Sequence, residues 1–237
     1  MLDHSELQWK EKFSQAARAG KLSVVLDKNP EDYFFYFVEY FRVPPLSENS
    51  RISVLDVGCG TGEVARWLGE KGFDVWAVDY LAEMIAIARQ RTSQSNSNVH
   101  FEVADIYHLP FPSEKFDIVL CLGVLQTVNQ PKKALVQLSR VLKPGGILVI
   151  RTLNSLSLSS LFLRNIQRYN PYEIMKILEQ MQFHSMSLKG VYVFPRPFRF
   201  IAKVILRFKL FAILNFLFFP LFLFFSHSFY LQARKTR

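Results

Sequence analysis

Val54-Leu-Asp-Val-Gly-Cys-Gly-Thr-Gly62 is an apolar run that ends in three alternating glycines. Ile52–Val57 reads as a short strand, and the residues after Gly62 read as a helix to about Glu70. Glycine lets a backbone turn tightly and approach a ligand closely, so Gly58, Gly60 and Gly62 mark a binding loop in the crevice beyond the strand ends. A dinucleotide fingerprint would need Gly-x-Gly-x-x-Gly with a pyrophosphate on the helix N-terminus. Position 63, where that third glycine would fall, is Glu63, and a carboxylate is unfavourable beside a pyrophosphate. The pattern favours a ligand without phosphates, and Asp56 just before the loop suits a cationic one. Asp79, at the end of the next strand, is placed to accept hydrogen bonds from ribose hydroxyls.

Outward from this loop the chain alternates strand and helix. Asp74–Val78 reads as a second strand, followed by a helix through Met84, Ile85, Ile87 and Ala88. Val99–Val103 and Phe116–Leu122 read as the third and fourth strands. Lys132–Leu142 reads as a helix with Ala134, Leu135, Leu138, Val141 and Leu142 on one face. Lys143-Pro-Gly-Gly146 should stop that helix, and Ile147–Thr152 should be the fifth strand. Pro171–Gln182 looks helical, Ser187–Phe194 reads as a sixth strand and Ser228–Arg234 as the last. Strands alternating with helices imply an α/β fold with a parallel sheet covered on both faces.

Four blocks in this order resemble the class I S-adenosylmethionine-dependent methyltransferases. They are VLDVGCGTGEVARWL, the acid in AVDYLAEMIAIAR, VHFEVADIYHLPFPSEKFDIVLCLGVLQTV and LSRVLKPGGILVIRT, spread over roughly 51–152. The resemblance implies a three-layer Rossmann-like fold whose mostly parallel seven-stranded sheet ends in an antiparallel strand. It also implies S-adenosylmethionine as cofactor. Gly58, Cys59, Gly60 and Gly62 would line it, with Asp56 near its amino-acid moiety. Asp79 would take the ribose beside Tyr80, and Met84 would pack near the adenine. Asp105 would meet the adenine amino group with Ile106 beside the ring, and Leu122 would border the methionine portion. Cys59 and Cys121 otherwise read as packing residues, and two such cysteines supply neither a disulfide framework nor a metal site.

Methyl transfer from a sulfonium is an in-line displacement on an already activated electrophile. The enzyme's work is to hold the nucleophile in line and exclude water. A general base is needed only if the acceptor must lose a proton, and no catalytic residue stands out. Gln126 and Thr127 can hydrogen-bond but are poor bases. His108 is the one weak candidate, against the plainer reading of a surface loop histidine.

Of the 237 residues, 29 are Lys or Arg and 20 are Asp or Glu, for a net charge of +9. Glu179 is the last carboxylate; beyond it come nine basic residues and 13 of the 23 Phe. The excess charge therefore belongs to the last quarter of the chain. Arg196, Arg199, Lys203 and Arg207 form one helical stripe among bulky apolar residues, and Leu210–Phe225 carries no charge. Such a segment suits an anionic membrane surface more than nucleic acid, which would pair basic groups with more polar side chains. Pro220 and the strand-like Ser228–Arg234 argue against a single crossing.

The expected organisation is an N-terminal helical cap (1–50), a cofactor-binding core (51–195), a basic, aromatic, membrane-associating helical insertion (196–227) and the last core strand (228–237). The expected protein is a methyltransferase, cytoplasmic and held at the inner face of a membrane. Its acceptor would be amphiphilic or lipid-linked: a quinone precursor, a polyprenol-linked sugar or a lipid head group. Two rivals are a soluble small-molecule methyltransferase whose Phe-rich helices form a lid or dimer interface, and a cofactor-binding scaffold without transfer activity.

Overall fold

The computed structural model describes residues 11, 14, 15, 52–93, 98–157, 167–191 and 226–236. The cap and the basic, aromatic insertion expected at 1–50 and 196–227 therefore lie almost wholly outside the described residues. In order, the elements are β1 (Ser53–Val57), α1 (Glu63–Glu70), β2 (Asp74–Asp79), α2 (Ala82–Thr92), β3 (Val99–Val103), β4 (Phe116–Leu122), α3 (Pro131–Val141), β5 (Leu142–Leu153), α4 (Pro171–Gln180), β6 (Phe183–Val191) and β7 (Ser228–Lys235).

The strands form one seven-stranded sheet in the order β3-β2-β1-β4-β5-β7-β6. β1 to β5 pair in parallel, while β7 runs antiparallel to both β5 and β6. The α/β fold with a closing antiparallel strand is thus as expected.

Period-two alternation splits each central strand between two cores. Leu55, Val57, Val119, Cys121, Leu148, Ile150, Phe229 and Leu231 pack on one face beneath α3 and α4, through Leu135, Leu138, Ile174 and Leu178. Val54, Val75, Ala77, Ile118, Leu120 and Val149 pack on the other beneath α1 and α2, through Ala65, Leu68, Ile85 and Ala88. Full burial of each Leu or Ile contributes about 1.5–3 kcal/mol, so the two layers hold the sheet rigid and fix where its strand ends lie.

Three boundaries differ from the sequence reading. α3 starts at Pro131, whose missing N–H costs nothing in a first turn. Lys143-Pro-Gly-Gly146 is no separate stop; Leu142 already pairs with Phe116, and pairing resumes at Ile147↔Ile118, so the four residues bulge out of β5. β6 begins at Phe183 and ends at Val191. Gln182 (φ 64°) and Ser185 (φ 50°) are left-handed there, and the register shifts between His184 and Ser187. That irregularity breaks the alternation the sequence reading relied on.

Since β6 is antiparallel to β7 and β7 antiparallel to β5, β6 points the same way as β5. Val191 pairs with Ser228, which pairs in turn with Leu153 at the carboxyl end of β5. The chain therefore leaves the sheet after β6 and returns before β7 at the same edge where the glycine loop sits.

Candidate functional site

β1 ends at Val57, and the next residues turn across the carboxyl ends of β1 and β2. Gly58 and Cys59 both donate their backbone N–H to the Val78 carbonyl, at 2.7 and 3.0 Å. Gly58, Gly60 and Gly62 all have left-handed φ (75°, 56° and 82°). At Gly58 a Cβ would lie 2.1 Å from a Val124 methyl carbon, and at Gly62 it would press on Ala88 and Phe101. These two glycines are required by packing. Gly60 differs, because a Cβ there would meet nothing within 4 Å. Its place at the turn leaves the backbone open to close approach.

Three carboxylates ring this loop. Asp79 accepts from the Gly60 N–H (2.9 Å) with one oxygen and from the Leu81 N–H (2.9 Å) with the other. An ionised carboxylate offers about four lone pairs, so each oxygen can accept another donor. Burial raises the pKa of Asp79, opposed by the backbone N–H bonds it accepts. Asp56, only 2% exposed, is pushed up to about 7 by burial first and then by the charges of Asp79 and Glu63. A partly ionised acid in an enclosed acidic setting is a receptor for a cation. Glu63 is already engaged: it accepts from the Thr61 hydroxyl and pairs with Arg91. It fills the first turn of α1, where a pyrophosphate would otherwise sit.

The other predicted residues lie at or just beyond the carboxyl ends of β1 to β4, with different accessibility. Tyr80 is 44% exposed beside Asp79. Asp105 follows β3, next in the sheet to β2, with its carboxylate accepting from the Tyr107 N–H at 2.9 Å. Met84 and Ile106 are buried, so either can offer a ligand only an edge of a packed surface. The Cys59 thiol is raised well above its ordinary pKa by burial and then by Asp56. Cys121, fully buried, is pushed up to about 12. Both are therefore unreactive thiols, as packing residues should be. Leu122 packs at the end of β4. His108 is exposed, one turn beyond Asp105, with its N–H on the Asp105 carbonyl. No group of residues that could hold a metal ion occurs among the described residues.

On the far side of the edge, over β4, β5 and β7, sequence reasoning reached Gly123, Gln126 and Thr127 but missed Arg151, Thr152, Asn154, Tyr169 and His227. Gly123 (φ 82°) follows β4 with its N–H on the Arg151 carbonyl at 2.8 Å. A Cβ at Gly123 would be 3.7 Å from Gln126 Nε2 and 3.8 Å from Arg151 Nη1. The Thr152 hydroxyl donates to Gln126 Oε1 at 3.3 Å. Asn154 donates its N–H to the His227 carbonyl and its side-chain amide to Ser226. Tyr169 donates its hydroxyl to the Leu125 carbonyl at 2.8 Å. His227 is held below its ordinary pKa by burial first and then by Arg151 and Arg168. The one available signal was Arg151 itself, a lone charge closing the apolar run Ile147–Ile150.

Residues 55–150 match a family model described as a methyltransferase domain. The chain is 34% identical over 101 residues to the ubiquinone biosynthesis O-methyltransferase of Coxiella burnetii, a match covering 43% of each. It is 39% identical over 97 residues to the demethylmenaquinone methyltransferase of Renibacterium salmoninarum, covering 41% of this chain and 39% of that one. The chain thus matches less than half the length of these curated relatives. Among solved structures, the phosphoethanolamine N-methyltransferase 2 of Haemonchus contortus, in complex with S-adenosyl-L-methionine, superposes with a TM-score of 0.65 at 20% identity. That superposition covers 87% of this chain and 53% of the other, and at such identity it speaks to the fold.

Proposed function

We propose that this chain, whose residues 55–150 match a methyltransferase-domain family model, moves the methyl group of S-adenosylmethionine to an amphiphilic, lipid-linked acceptor at a membrane surface. The reading rests above all on the Gly60 amide held on Asp79 beside the buried, partly ionised Asp56. That arrangement suits a ligand with ribose hydroxyls, cationic groups and no phosphate.

The cofactor supplies an electrophilic methyl on a sulfonium sulfur. The chain's own residues bind and orient. Asp79 would accept the ribose hydroxyls through its remaining lone pairs, and Asp56 would balance the ammonium of the amino-acid end. Gly60 would let the backbone come close, Tyr80 and Asp105 would hold the base, and the turn at Gly123–Thr127 would help exclude water and orient the acceptor.

The names of the matched relatives, a ubiquinone biosynthesis O-methyltransferase and a demethylmenaquinone methyltransferase, favour a quinone precursor as the acceptor class. The route of the chain supports a membrane setting. Its basic, Phe-rich stretch is tethered at Val191 and Ser228, on the crevice edge of the sheet, where it can bring a bilayer to the acceptor. No helix among the described residues is long and apolar enough to cross a membrane.

The test is to incubate the full chain with methyl-labelled S-adenosylmethionine and membrane extract, then identify the labelled lipid-soluble product. A labelled quinone precursor is expected. Label only in water-soluble products would sink the lipid acceptor in favour of a soluble methyltransferase. No labelled product, with cofactor binding intact, would leave a binding scaffold. Recovery of the protein only in the soluble fraction at low salt, before any carbonate wash, would refute the membrane setting.

A further inference from the structure

We propose that Gln126 orients the methyl acceptor, its side-chain Nε2–H donating to a lone pair on an acceptor oxygen of carbonyl or phenol type. Thr152 is the positioning residue behind it. The inference deepens the methyltransferase reading and rests on it for the word acceptor.

β4 ends at Leu122, and the chain then turns over the carboxyl edge of β4 and β5, next to the loop that follows β1. The turn is tied down at each step. Gly123, at its left-handed φ of 82°, donates its N–H to the Arg151 carbonyl at 2.8 Å. The Thr127 hydroxyl donates to the Val124 carbonyl at 2.7 Å, and the Tyr169 hydroxyl to the Leu125 carbonyl at 2.8 Å. Leu125 is fully buried in the core beneath α3 and α4. Gln126 therefore projects from a backbone held in one place, a single 3-10 turn over Leu125–Thr127.

Its side chain is held as well. The Thr152 hydroxyl, 1% exposed, donates to Gln126 Oε1 at 3.3 Å. A buried hydroxyl must place its proton, and Oε1 is the acceptor it has among the described residues. This fixes which end of the carboxamide faces the sheet. Nε2 is the other end, and its two N–H groups meet no acceptor among the described residues. It lies 3.7 Å from where a Cβ on Gly123 would stand, so the side chain curls back over that glycine. The next residue, Val124, is the one whose methyl carbon would lie 2.1 Å from a Cβ on Gly58. A fixed donor thus stands beside the cofactor loop on a half-buried side chain that an acceptor can reach.

A carboxamide does not take up a proton near neutrality, so Gln126 can aim an acceptor but cannot deprotonate it. One donated N–H holds one lone pair of the oxygen and brings the neighbouring nucleophilic atom into line. The site discriminates against an acceptor without that oxygen, which would cover the donor and leave it unpaired.

The test measures methyl transfer from labelled S-adenosylmethionine to membrane extract by the full chain and its variants. Gln126→Glu keeps the shape and the bond from Thr152 but donates nothing, whereas Gln126→His changes the shape and keeps a ring N–H. Gln126→Glu should lower transfer at least about tenfold, with S-adenosylmethionine affinity within about twofold of wild type. Gln126→His should retain more transfer than Gln126→Glu. Thr152→Val should lower transfer at least about threefold, and Thr152→Ser should restore it. A side chain that only fills space predicts the reverse order, Glu above His. That order would overturn the proposal, as would wild-type transfer in Gln126→Glu or a loss of cofactor affinity there that matches the loss of transfer. Equal transfer by Thr152→Val and Thr152→Ser would overturn the role of Thr152. No methyl transfer by the wild-type chain would instead strike at the methyltransferase reading, and the proposal would fall with it.

Discussion

The two halves of the sheet's carboxyl edge differ in charge, in construction and in how plainly they are written in the chain. Over β1 and β2, acids and glycines lie within a few residues of one another and within one βαβ unit. Over β4, β5 and β7, Arg151, Arg168 and His227 come from separate segments, Arg168 beside the Tyr169–Asn154 pairing and His227 at the entry to β7, which lies next to β5. The first half is a local motif that any chain of this fold can carry. The second depends on the long-range pairing of the last strand, and so it is where this chain can be particular.

The largest expected effect lies in the acidic half. Asp79→Ala removes a charged acceptor and the anchor of the Gly60 amide, and each charged hydrogen bond is worth about 1.5–3 kcal/mol. S-adenosylmethionine affinity measured by calorimetry should drop on the order of 100-fold. An unchanged affinity would break the assignment of this half to the cofactor.

Next come the glycines, which separate packing from binding. Gly58→Ala forces a Cβ into Val124 at a left-handed φ. Strain and overpacking together cost about 3 kcal/mol, or about 9 °C in melting temperature for a chain of this size. Gly60→Ala meets no neighbour and should cost only about 1 kcal/mol of backbone strain. Its effect should appear instead as lost cofactor binding. Equal stability losses in the two variants would show that the loop is merely a turn.

Stability should also fall with pH in the ligand-free chain. The pKa of Asp56 is raised on folding, from 3.8 to about 7. Its contribution is therefore full below about pH 4 and is lost as pH rises through 7. The whole displacement corresponds to a ceiling of about 4 kcal/mol. Asp56→Asn should flatten the melting-temperature profile between pH 5 and 8, the range over which thermal scans are to be compared. The smallest expected effect is at His108, which is exposed. His108→Ala should change turnover by less than about twofold, and a large loss would restore it as a base.

How far the sequence carried follows the same division. Residues 52–153 are a run of local signals: apolar strands, glycine turns, and Pro131 at a helix start. The sheet there could be written down strand by strand. It failed where regularity failed. Lys143-Pro-Gly-Gly146 looks like a terminator, but the β4–β5 ladder bridges it from both sides. At β6, left-handed Gln182 and Ser185 hid the strand's first residues. The cofactor half was legible because its acids are spaced by the βαβ period. The basic half was not, because a lone Arg151 at the end of an apolar run and a His227 after a Phe-rich stretch carry no shared pattern until β7 pairs with β5.

The contrast between the halves turns on Asp56, since an acidic end poised near neutrality is what a cationic cofactor would use. The most direct measurement is the affinity for S-adenosylmethionine between pH 6.0 and 7.0, a range in which an ordinary α-amino group stays mostly protonated. Binding a cation holds Asp56 ionised, so a site whose free pKa is about 7 should bind about fivefold more tightly at the upper pH. Asp56→Asn should lose that rise. An affinity that is flat or falls with pH in the wild-type chain would contradict the cationic-cofactor assignment of this end.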